Sequence, residues 1–185
     1  YSIIFSTLSI IVSYAFAIVY WKDLNRLKNK SVSHQWFKAA VFFNAFSSLG
    51  AFALAIMMVA KIIHQNWYLA AEYFYLHFQY NGWFFFSCMG LVTAQLFQSA
   101  PTIILKRIYL LFALAIIPAY FLSALWMNIP VWVYILVIIA AFAQVAGWIY
   151  MVSLIKNQNA IFKNPFSVTA NWLLGLAAIA LSIKL

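Results

Sequence analysis

Only a few residues in this 185-residue chain could do chemistry, and most of them fall in one stretch. The run Ala71-Glu72-Tyr73-Phe74-Tyr75-Leu76-His77-Phe78-Gln79-Tyr80-Asn81-Gly82-Trp83 holds Glu72, one of two acids, and His77, one of three histidines. The other acid, Asp23, and the other histidines, His34 and His64, lie in polar breaks between apolar runs. At 100° per residue, Tyr73, His77, Tyr80 and Asn81 share one side of a helix, while Glu72, Gln79 and Trp83 fall on another. Glu72 and His77 are five apart and do not face each other. A neutral imidazole in that setting is a ligand for a metal or haem iron, with Tyr73, Tyr80 or Asn81 as hydrogen-bond partner. It could equally relay protons, contact a substrate, or bridge two helices by a hydrogen bond. Glu72 lies close enough to the helix end to reach water, or it serves as a carboxylate that takes up protons or pairs with a cation. Gln144, Asn44 and Asn171 are further polar residues in apolar runs, and interhelical hydrogen bonding is their default use.

The elements that must position these residues follow from composition. Hydrophobic residues make up 68% of the chain and charged residues 7%, with a mean hydropathy of +0.96. Soluble domains have about 25% charged residues, so the solvent here is lipid. The fold class is all-α: a polytopic transmembrane bundle forming a single domain over 1–185. The apolar runs give about six spans, at roughly 2–20, 37–60, 67–97, 107–127, 130–155 and 166–183, each near the ~20 residues needed to cross the hydrocarbon. The third is longer than a bilayer requires and must tilt, kink or project. Pro118 predicts a kink in the fourth. The Asn128-Ile129 link before Pro130 makes the fourth and fifth an antiparallel hairpin.

The charge pattern orients this bundle. Lys22, Arg26, Lys28, Lys30 and Lys38 cluster after the first span, Lys106 and Arg107 after the third, and Lys156 and Lys163 after the fifth, while Lys61 and Lys184 lie on the opposite side. The positive-inside rule puts the three basic links in the cytoplasm and both chain ends outside, in the cytoplasmic (inner) membrane. The net charge of +9 is therefore topogenic, and no nucleic-acid partner is expected. With this orientation His77 lies near the midplane or in the outer half, about 15 Å in at the helical rise.

The single Cys88 excludes disulfides within the chain. Phosphate-binding glycine loops, GxSxG, HExxH and CxxCH are missing from the sequence, and a metal site built from this chain alone would lack the three or four ligands a tight site needs. One axial histidine suffices for haem. The chain opens at Tyr1 inside an apolar run and stops at Leu185 after Lys184, which reads as a segment of a longer protein.

The stretch Tyr75-Leu76-His77-Phe78-Gln79-Tyr80-Asn81-Gly82-Trp83-Phe84-Phe85 resembles a segment of an uncharacterised group of bacterial multi-pass membrane proteins. In outline that group looks like subunit I of the haem–copper oxidases and nitric-oxide reductases. The resemblance covers about a dozen residues and, in general pattern, the sixth span. It implies a haem- or metal-associated role in electron transport, with His77 as a ligand and haem as the cofactor. It also implies that the remaining ligands come from further helices or other membrane subunits, because that class has about twelve spans and several ligating histidines. Two other readings stand beside it: an accessory or structural subunit of a larger membrane complex, and a transporter with Glu72, His77, Asn81 and Gln144 along a polar path.

Overall fold

The computed structural model describes residues 2–28, 31–62, 64–96, 101–157 and 168–184, and among them there is no strand. In chain order the elements are α1 (Ser2–Arg26), α2 (Val32–Val59), α3 (Gln65–His77), a π-helical segment (Phe78–Phe84), α4 (Phe85–Leu96), α5 (Thr102–Ala119), a 3₁₀ segment (Tyr120–Ala124), α6 (Val131–Asn157) and α7 (Val168–Lys184). Among the described residues, four stretches are long and apolar enough to cross a membrane: Thr7–Arg26, Val32–Val59, Thr102–Ala124 and Val131–Ile155. This is the architecture of an integral membrane protein, with lipid as its surroundings.

Several expected boundaries move, each for a local reason. Helix α1 does not stop at Tyr20 but runs on to Arg26, because Trp21–Arg26 contains no breaker. Its extra turns are held by buried Leu24 and by the Lys38 ammonium over the Trp21 ring. Helix α2 begins at Val32 rather than Phe37. The Ser31 N–H donates to His34 Nδ1 at 3.1 Å, so His34 belongs to the first turn and satisfies one of the donors that a helix start leaves over. At its other end Lys61 takes a left-handed φ of 51°. The Ile62 N–H then reaches the Met57 carbonyl at 3.0 Å, and the Lys61 N–H reaches that of Met58 at 3.3 Å, the paired bonds of a Schellman stop.

Helix α5 starts at Thr102, directly after Pro101, so Lys106 and Arg107 lie within a helix and not in a link. The expected 67–97 span is not one α-helix: thirteen α residues and twelve more flank seven in π geometry. Pro118 sits one residue before α5 gives way to the 3₁₀ turn, consistent with the loss of its backbone donor. The start of the sixth span at 166–167, Phe97, Lys30 and Lys163 lie outside the described residues.

Helix α2 is the hub, contacting α1, α3, the π segment, α4 and α5, while α5 and α6 form the hairpin expected from their short link. Among helices already in hydrocarbon, close packing and interhelical hydrogen bonds replace the hydrophobic effect as the glue, and aromatic rings supply much of the packing. Trp36, 1% exposed, meets Phe86 and Tyr109 with ring centroids 5.0 and 5.2 Å apart. Phe86 touches Phe43 at 5.2 Å, Phe43 stacks on Phe78 at 5.8 Å, and Phe78 meets Phe74 at 4.7 Å. This chain of tilted, edge-on and stacked rings uses pairings favoured by the ring quadrupole. It runs from α2 along the π segment and ends at Tyr120, beside His77.

Candidate functional site

The π segment fixes the site. Its wider i→i+5 turn holds about one residue more than an α-turn, which lets the chain face two neighbours at once. Toward α2, the buried Ser47 hydroxyl donates to Gln79 Oε1 at 2.7 Å, and Gly82 lies so close that a methyl group there would be 2.6 Å from Phe43 Cβ. Toward α5, His77 Nε2 meets the Ile116 carbonyl oxygen at 2.9 Å. A carbonyl can only accept, so Nε2 carries the proton. Nδ1 of the neutral ring then accepts from Asn81 Nδ2 at 3.2 Å.

The Ile116 carbonyl is available for a local reason. In an α-helix it would receive the N–H of Tyr120, but that N–H turns to Ile117 and Pro118 as the chain tightens into 3₁₀ geometry. The departure from α geometry after Pro118 and the π turn that follows His77 are therefore joined by a hydrogen bond. Tyr120 adds a second tie, its hydroxyl donating to the Ala70 carbonyl at 2.9 Å.

Beside this junction is a cavity of about 200 Å³ bordered by the end of α3, the π segment, α4, α5, the 3₁₀ turn, α6 and α7. His77, Asn81, Ser123 and Gln144 give it polar groups, and Phe85, Phe86 and Phe112 give it aromatic walls. Among the described residues, no charged side chain lines it.

Of the residues singled out in the sequence, His77, Asn81 and Gln144 come together here. Glu72, Tyr73 and Tyr80 do not. Glu72 and Tyr73 are exposed on α3, and Tyr80, grouped with His77 by α-helical spacing, is 64% exposed. The extra residue in the π turn swings Tyr80 away, so the side shared by Tyr73, His77, Tyr80 and Asn81 does not persist. Asn44 makes the interhelical bond expected of it, donating to Ser13 Oγ at 2.9 Å. Ser123 was not singled out, since nothing distinguishes one serine after an expected kink. Ser47 was also missed; its partner Gln79 faces it only because of the π register.

Both ring nitrogens of His77 face protein partners. Nε2 is committed as a donor to a backbone carbonyl, and the one remaining ring lone pair is directed at Asn81. Among the described residues, no group of three or more His, Cys, Asp or Glu could hold a metal ion. Comparison with protein-family models, with characterised proteins and with solved structures returns no match.

Proposed function

We propose that this chain is a multi-pass membrane protein that binds a small uncharged polar solute within the membrane, as a step in passing it across. One observation carries the reading: the two departures from α geometry, at Phe78–Phe84 and at Tyr120–Ala124, border the same polar-lined cavity. Interrupted helices at membrane depth are how transporters present polar groups to a substrate, because irregular backbone is tolerated there only where protein or a cavity covers it. Asn81, Ser123 and Gln144 offer donors and acceptors without charge, and the phenyl walls exclude ions that would have to shed water. The cavity is smaller than the roughly 300–1,000 Å³ of drug-sized pockets, which points to a solute of a few heavy atoms.

The finer topology belongs to the same proposal: six spans, with the basic residues that follow the first, third and fifth of them on the cytoplasmic side and both ends outside, in the cytoplasmic membrane. Charge asymmetry supports it. Further membrane subunits would pack on the lipid-facing helices.

The test is solute flux into proteoliposomes containing the purified chain, comparing glycerol- and urea-sized solutes with inorganic ions. Flux of an uncharged solute that falls several-fold in Gln144→Leu and Ser123→Leu is expected. Flux unchanged by both, in protein that remains folded, would overturn the reading.

A further inference from the structure

A second depression, of about 540 Å³, runs along the α5–α6 hairpin and is separate from the cavity. On α5 it takes Leu111, Leu114 and Pro118, whereas Phe112, Ile116 and Ala119 face the cavity. Ala115, Ala140 and Ala143 also line it, and their small side chains leave room between the two helices. The lining is almost wholly apolar. Its polar groups are Arg107, exposed on α5, and Tyr150, exposed on α6. The antiparallel hairpin brings these two to the same end of the groove, with Pro118 and Leu136 at the other.

An apolar groove at membrane depth is filled by hydrocarbon rather than water. Its length fits one leaflet: the eleven steps from Arg107 to Pro118 rise about 16 Å, against roughly 15 Å for half the hydrocarbon core. The guanidinium therefore lies one acyl-chain length from the groove's far end, at the depth of a lipid headgroup. Arg107 is planar and always charged, and it can hold a phosphate through two parallel hydrogen bonds. No acid competes for it within the groove, since the chain's two acids, Asp23 and Glu72, are on α1 and α3.

We propose that the α5–α6 groove is a binding site for one anionic phospholipid, with an acyl chain along Leu111, Leu114 and Ala140 and the headgroup phosphate on Arg107. Lys106, next in sequence and exposed but not lining the groove, supplies general attraction to the headgroup layer and not the specific contact.

The experiment is native mass spectrometry of the purified full chain released from micelles containing matched amounts of phosphatidylglycerol and phosphatidylcholine. One retained phosphatidylglycerol, with its preference reduced about fivefold by Arg107→Gln and changed little by Lys106→Gln, is expected. Ala140→Trp, which fills the groove, should abolish retention of either lipid. Equal retention of the two lipids, a preference indifferent to Arg107→Gln, or a lipid still held by folded Ala140→Trp would each overturn the site. Arg107 is exposed, so its variant reports on lipid binding even if the tryptophan variant does not fold. None of the three substituted residues lines the polar cavity, and failure here leaves the solute reading standing.

Discussion

His77 Nε2 donates to the carbonyl oxygen of Ile116 across 2.9 Å, tying the last residue of α3 to α5 two residues before Pro118. Two backbone irregularities thus complete each other. The π turn begins directly after the imidazole, and the 3₁₀ turn frees the acceptor it needs. Removing the ring should leave a buried carbonyl without this donor. His77→Ala and His77→Phe are therefore expected to lower unfolding free energy by about 1–3 kcal/mol, measured by denaturant titration in detergent. Because the ring nitrogens are engaged by protein, the optical spectrum of the purified chain should show no Soret band that depends on His77. A Soret band lost in His77→Ala would support haem ligation by His77 instead.

The contact between α2 and α3 leaves no room for a side chain at Gly50. A methyl group there would lie 2.5 Å from the Ala71 carbonyl oxygen and 2.8 Å from the Tyr75 nitrogen, both backbone atoms that cannot rotate away. Gly50→Ala should cost about 1–3 kcal/mol as the helices are forced apart. Gly175→Ala meets nothing within 4 Å and should be neutral or slightly stabilising, since alanine favours helix over glycine by up to ~1 kcal/mol. Thermal unfolding of the two variants in the same detergent separates these outcomes.

Lys61 holds a left-handed backbone conformation at the end of α2. Such a conformation costs a residue with a Cβ roughly 1–2 kcal/mol, a penalty that glycine escapes. Lys61→Gly should keep the Schellman bonds to Met57 and Met58 and raise stability by about 1 kcal/mol. A fall in midpoint temperature would show that the lysine side chain contributes something the backbone geometry does not reveal.

The sequence reveals much of this architecture because apolar runs separated by charge or proline have few alternatives in a bilayer. The α5–α6 hairpin and the break at Pro118 are readable for that reason. Helix ends are less so: α2 starts early through the Ser31–His34 contact, and a histidine in a polar break does not announce itself as a cap. The site is half legible. His77, Asn81 and Gln144 stand out as polar residues in apolar surroundings, yet their grouping depends on a π turn that α-helical spacing does not contain. The same turn removes Tyr80 from the site and directs Gln79 to Ser47. Neither effect follows from residue type, because the π register is set by contacts with α2 and α5.

The central claim, a polar cavity reached by small uncharged solutes at the junction of the two irregular turns, is tested most directly by cysteine accessibility. In a Cys88→Ala background, Ser123→Cys and Gln144→Cys should react with a small water-soluble thiosulfonate in intact proteoliposomes. Leu114→Cys, which is on the lipid-facing groove, should not. Silence at both cavity positions, with folded protein and full reaction after denaturation, would contradict the account.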